Sequence, residues 1–140
     1  THIYQLIYES SSHSRVSLLG NILQNIHYEL DGEFAWFIID QNMMSIAKAS
    51  KADVEGFSDF VRSIKGVEVS MMIMENEDQS CRLNFRSTGK YIINGVAVEL
   101  GGGGHKFASG AVINNPLDYV VKNAVKKMKK SILEQRTGLA

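Results

Sequence analysis

The chain of 140 residues has one cysteine, Cys81, so an intrachain disulfide and a multi-cysteine zinc site are both excluded. It has no net charge, 15 basic residues against 15 acidic, so it is not a polyanion-coating protein, and any nucleic-acid contact must come from a local patch. No apolar run reaches the ~18 residues that a membrane span requires, and no membrane partner is expected. No basic-apolar-small leader precedes the first polar segment, which makes the cytoplasm the default expectation. The four histidines, His2, His13, His27 and His105, are scattered, and no Asp and His cluster at metal-ligand spacing, so no metal site is expected in this chain. The chain opens on Thr1, directly in apolar-patterned sequence, and is expected to be part of a longer protein.

What is present fits one domain. Hydrophobic residues make up 44% of the chain and charged residues 21%, ordinary values for a globular fold. Ile3, Leu6 and Ile7, then Val16, Leu19, Ile22, Leu23 and Ile26, recur at helical spacing. Two short helices are predicted over about 3–10 and 14–25, with N-caps available among Ser10, Ser11, Ser12 and Ser14. Asp31-Gly32 signals a turn joining 26–30 to 34–39 as a hairpin. The second of these segments is almost continuously apolar and reads as a strand covered on both faces, with Trp36 and Phe37 in the core.

Further along, Asp40 or Asn42 can cap a helix reaching Ala49. Asp53 and Glu55 read as caps of the helix marked by Phe57, Phe60, Val61 and Ile64, which Gly66 ends. Strands follow at 67–74 and 81–87. In the latter, Cys81, Leu83 and Phe85 share one face, and Arg82, Asn84 and Arg86 the other. The methionines at 43–44 and 71–74 read as gap-filling core. A helix over 92–100, with Asn94 as its cap, and a strand over 110–113 come next. A last helix is started by Asn115-Pro116, with Val121, Val125, Met128 and Ile132 buried, and stopped by Gly138. Lys122, Lys126, Lys127, Lys129 and Lys130 lie elsewhere around it. The predicted class is α/β: about five strands in a mixed sheet flanked by helices, with an N-terminal helical arm over 1–26 and a domain over 27–140.

Five of the 12 glycines fall within ten residues, Gly101-Gly102-Gly103-Gly104-His105-Lys106-Phe107-Ala108-Ser109-Gly110. Four consecutive glycines carry a large backbone-entropy cost, and the segments on either side look ordered, so the tract is not a linker. Gly101, Gly102, Gly103 and Gly104 can offer backbone amides to an anion, with His105 and Lys106 as donors beside them. Arg86 and Ser87 end the preceding strand, and a guanidinium fork suits phosphate. Taken singly, Arg86 is better explained by an ion pair and His105 by a helix cap; together with the glycines they point to an anion site. The tract is neither a Walker loop nor a dinucleotide fingerprint, since His105 interrupts the Gly-Lys order and a helix, not a strand, precedes it. Ser109 has no recognisable His-Asp partners and is not read as a nucleophile.

The run Gly101 to Lys106 with Ala108-Ser109-Gly110-Ala111, together with Asn84-Phe85-Arg86-Ser87 upstream, resembles the signature of the DHH-associated domain, the C-terminal substrate-binding domain of DHH-superfamily phosphoesterases. The resemblance runs from about residue 30 to the end. The Asp31-Gly32 turn and Asp53-Val54-Glu55-Gly56 are similar to the nano-RNase, pAp-phosphatase and RecJ-like branch. It implies a partner domain N-terminal to this one, with Asp-His-His motifs absent here, that holds two Mn2+ ions whose activated water attacks a phosphate ester. It implies no catalytic residue in this chain. Substrate binding would fall to Arg86, Ser87, Gly101, Gly102, Gly103, Gly104, His105 and Lys106, with His105 on the phosphate nearest the metals. Phe107 and Ser109 depart from the smaller residues usual there. The substrate implied is a short RNA, pAp or a related nucleotide. Two alternatives stay open: a cyclic-dinucleotide phosphodiesterase domain, and a tRNA- or RNA-binding module like the C-terminal domain of alanyl-tRNA synthetase. A homodimer through the apolar arm is compatible with any of these.

Overall fold

The computed structural model describes residues 12–138. The expected helix over 3–10, and with it the outer half of the arm, lies outside the described residues. Ser12 caps α1 (His13–Gln24), its Oγ accepting from Arg15 N at 3.1 Å. The buried face of α1 is Arg15, Leu18, Leu19 and Ile22, while Val16 and Leu23 are exposed. The expected face is thus rotated by about one residue. The cause is Arg15, whose guanidinium lies 4.7 Å over the Phe57 ring and donates to Asp53 O at 2.8 Å, drawing its stem into the interior.

β1 (His27–Glu29) and β2 (Phe34–Ile39) form the expected antiparallel hairpin. Its connection is a 3-10 turn over Leu30–Gly32 in which Leu30, Asp31 and Gly32 all take positive φ. Trp36 is 8% exposed, stacks on His27 at 4.0 Å between ring centroids, and donates from Nε1 to Glu29 at 3.1 Å. α2 (Gln41–Ala47) is capped by Asp40, and a 3-10 turn (Lys51–Val54) leads to α3 (Phe57–Arg62). Asp53 is a capping residue as expected, but of the turn that contains it, through Ser50, and not of α3, whose N-cap is Gly56. Its carboxyl is held below its ordinary pKa, chiefly by the Ser50 amide.

β3 (Val69–Glu75) runs parallel to β2 and antiparallel to β4 (Cys81–Ser87). α4 (Asn94–Glu99) then precedes β5 (Gly103–His105), β6 (Ala108–Ile113) and α5 (Leu117–Thr137). Among the described residues the sheet has six strands in the order β1-β2-β3-β4-β6-β5, one more than expected, because half of the glycine tract is itself a strand. Pro116 occupies the N-cap of α5, so this helix begins one residue later than predicted, and Ile93 takes the N-cap of α4 where Asn94 was expected.

Two cores flank the sheet. Phe34, Met71, Leu83 and Phe85 pack beneath α4 and α5, while Phe37, Ile39, Met72 and Met74 pack beneath α1, α2 and α3. α5 buries Val120, Ala124, Met128 and Ile132, a strict i, i+4 stripe. Val121 and Val125 are only half-buried at its margin, a correction to the predicted face. No helix among the described residues is long and apolar enough to cross a membrane.

Candidate functional site

The helices of the second layer cover β2 and β3 but leave much of the same face of β4, β6 and β5 open. There Arg82 is exposed, Asn84 and Arg86 are half-buried, and His105 and Lys106 are exposed. Residues opposite one another in adjacent strands point to the same side of a sheet. The register therefore lays out three rows. The first runs Ser70, Arg86, Ala108, His105; the second Met72, Asn84, Gly110, Gly103; the third Met74, Arg82, Val112. Arg86 and His105, separated by 18 residues of chain, thus stand in one row with only the small Ala108 between them.

Three of the four glycines nearest this floor, Gly102, Gly104 and Gly110, are fixed by close packing. A Cβ on Gly110 would lie 2.4 Å from Leu83 O, and one on Gly102 would lie 2.1 Å from Gly110 O. Gly104 takes φ +138°. Gly103, in the second row, has open space where its side chain would be. The result is a floor of nearly bare backbone flanked by Arg86, Asn84 and His105.

The four-amide cradle is not what the tract forms. Leu100 ends α4, Gly101 takes φ +89°, and the amides of Gly101 and Gly102 donate to Val98 O at 3.0 Å and Ala97 O at 2.7 Å. This paired closure of a helix C-terminus commits both amides, so neither is free for an anion. Gly103, Gly104 and His105 then pair with Gly110, Ser109 and Ala108 at the edge of the sheet. Ser87 is also apart from the site. It is 7% exposed on the opposite face, where its Oγ donates to Tyr91 O at 2.6 Å and accepts from Gly89 N at 3.1 Å. Its alternation with Arg86 along β4 decides this: adjacent residues in a strand cannot share a face. Ser109 is likewise buried on that opposite face.

Arg86 donates from Nη1 to Phe85 O at 2.9 Å, and its Nε stands 3.5 Å from Asp59 Oδ1. Asp59 also lies 3.8 Å from Arg62. A half-exposed ion pair of this kind is weak and orients the guanidinium without sequestering it. Asp59, from the first turn of α3, is a site residue that no sequence signal singles out. Beside the pair is a cavity of about 490 Å³ walled by Lys51, Glu55, Ser58 and Asp59 on one side and by Arg82, Asn84 and Arg86 on the other. Ser58 is 5% exposed, and its Oγ has no hydrogen-bond partner among the described residues.

A second polar cluster braces the sheet from its other end. Glu33 accepts from Tyr91 Oη and Arg136 Nη2, both at 2.6 Å, and from Lys90 Nζ at 2.5 Å. These bonds hold its carboxyl down to about 2, with the Lys90 bond the largest cause. The cluster ties the start of β2 to the loop after β4 and to the end of α5, and so fixes the strand that carries Arg86.

Residues 35–134 match the DHHA1 domain family. The chain is 30% identical over 113 residues to the bifunctional oligoribonuclease and PAP phosphatase NrnA of Bacillus subtilis (strain 168), covering 81% of this chain and 35% of that protein. It is 28% identical over 104 residues to the protein of the same name from Mycoplasma genitalium, covering 73% and 32%. The chain therefore spans about a third of the length of these curated relatives. Among solved structures, an exopolyphosphatase-related protein from Bacteroides fragilis superposes with a TM-score of 0.79 at 29% identity, over 99% of this chain and 39% of that one. The C-Ala domain of Aquifex aeolicus alanyl-tRNA synthetase shares the fold, with a TM-score of 0.55 at 16% identity over 74% of this chain and 96% of that one.

Proposed function

The chain belongs to the DHHA1 domain family, and from that membership we propose that it is the substrate-binding part of a phosphoesterase acting on short oligoribonucleotides, pAp or related nucleotides. The observation that carries this reading is the row Arg86, Ala108, His105 on the open half of the sheet, beside a floor of glycine backbone. A phosphate seated there would accept from the Arg86 guanidinium and from the His105 imidazole, with Lys106 adding charge at the edge. Asp59 holds Arg86 until a stronger anion takes its place. Gly103 and Gly110 keep the floor low enough for a ribose to approach.

In this reading a pair of Mn2+ ions supplies the activated water when bound. On the same reading the ligands of those ions belong to an N-terminal DHH domain, as the family resemblance implies. The present residues bind and orient the ester. The fragment alone is expected to bind weakly and to hydrolyse nothing.

The test is an NMR titration of the chain with pAp and with a 5′-phosphorylated dinucleotide. Shifts should centre on Arg86, His105 and Gly103, and should vanish in Arg86→Ala and His105→Ala. An unchanged spectrum at millimolar ligand, or shifts that persist in both variants, overturns the reading. A second reading, an RNA-binding module, rests on the groove of about 720 Å³ beside α5, where Trp36, Val121, Val125 and Leu133 lie between Lys122, Lys126 and Lys129. Shifts confined to that groove, with a steep salt dependence, would favour it.

A further inference from the structure

The third row has no part in gripping a single phosphate. Arg82 projects from β4 on the same face as Arg86, four residues away, which places their Cα atoms about 13 Å apart, with Asn84 midway at about 6.7 Å from each. Arg86 is held by Asp59, whereas the Arg82 side chain makes no ion pair or hydrogen bond among the described residues. Directly opposite Arg82 on β6 is Val112, an apolar side chain 62% exposed on the open half of this face, where its neighbours are Arg82, Asn84, Ala108 and Gly110. Both arginines and Asn84 border the same cavity, into whose wall the buried Ser58 hydroxyl is set without a partner. An exposed aliphatic surface beside an unpaired guanidinium suits a nucleobase lying flat with its phosphate alongside.

We infer that Arg82 and Val112 form a subsite for a second nucleotide, so that the face takes an oligonucleotide of two or more units rather than an isolated phosphate ester. This rests on the reading of Arg86 and His105 as the first phosphate subsite. One unit lies across the glycine floor at Arg86. The next follows β4 past Asn84, stacks its base on Val112 and presents its phosphate to Arg82. Asn84, half-buried midway between the two arginines, offers hydrogen bonds to the sugar or base. Glu55 and Asp59 on the opposite wall can accept from base amino groups, which a bare phosphate would not engage.

The experiment compares three probes on the 140-residue chain: inorganic phosphate, a 5′-phosphorylated mononucleotide and a 5′-phosphorylated ribotrinucleotide, with affinities measured by NMR titration. Arg82→Ala, at an exposed position, is expected to leave the melting temperature and phosphate binding unchanged and to weaken the trinucleotide about 5- to 10-fold. Arg82→Lys should recover part of that loss, and the Val112 amide should shift with trinucleotide but not with phosphate. Arg86→Ala should weaken all three probes. Loss at Arg86 with none at Arg82 overturns the second subsite while the phosphate site stands. Equal loss of all three probes in Arg82→Ala also overturns it, since that is general charge attraction. No loss in Arg86→Ala removes the phosphate reading itself.

Discussion

Gly103 and Gly102 are neighbours in sequence and opposites in physics, and the pair gives the sharpest check on the site. A methyl on Gly102 would meet Gly110 O at 2.1 Å and the Cα of Ala111 at 2.7 Å, both backbone atoms of a paired strand that cannot step aside. Gly102→Ala must therefore part β6 from the end of α4. Overpacking against rigid neighbours costs about 1–3 kcal/mol and more when only backbone can move, so a loss of about 3 kcal/mol is expected. Gly103 has nothing within 4 Å of the same position and does not take positive φ. Gly103→Ala should therefore change stability by less than about 0.5 kcal/mol, with unfolded-state entropy tending to stabilise it. Yet its methyl would rise from the floor between Asn84 and His105. Urea unfolding of the two variants, followed by titration with pAp, reads both effects. The expected result is an unstable Gly102→Ala, and a stable Gly103→Ala that binds at least several-fold more weakly. A Gly103→Ala variant as unstable as Gly102→Ala would refute the steric reasoning. A stable one with unaltered binding would refute the floor as part of the site.

Glu33 should make the fold acid-sensitive over a defined range. Its folded pKa of about 2 lies below the ordinary 4.5, so its stabilisation is complete above about pH 5 and is lost as pH falls toward 2. With 19% of the side chain exposed, solvent screening trims the contribution to about 1–2 kcal/mol. Glu33→Gln should lose that much at pH 7, and the gap from the parent should narrow below about pH 5 and close only below about pH 2; a gap independent of pH in chemical denaturation would contradict this. On α5, Ile132→Ala should cost about 2–5 kcal/mol because Ile132 is fully buried, while Leu133→Ala, 44% exposed, should cost well under half as much. Similar losses in thermal melts of the two would show that α5 is seated differently.

Local chemistry was enough to identify most of the elements. Ser12 and Asp40 act as caps, Asp31-Gly32 turns the hairpin, and the alternation in β4 separates Arg82, Asn84 and Arg86 from Leu83 and Phe85. These are relations between residues a few positions apart, and sterics and hydrogen-bonding capacity fix them wherever the chain goes. Alternation alone also implied that Arg86 and Ser87 could not both face one ligand, although their adjacency invited a joint role. Tertiary pairing decided the rest. The glycine tract divides between closing α4 and forming β5 only because β6 returns beside it, and a strand's partner is not encoded in its own periodicity. The same return brings His105 into the row of Arg86, and the packing of α3 brings Asp59 onto its guanidinium. Helix faces shifted where two stripes were both apolar enough to be buried: Val120 over Val121 in α5, and Leu18 with Arg15 over Val16 in α1. Such choices follow from which neighbour supplies the complementary surface, which depends on contacts from distant parts of the chain.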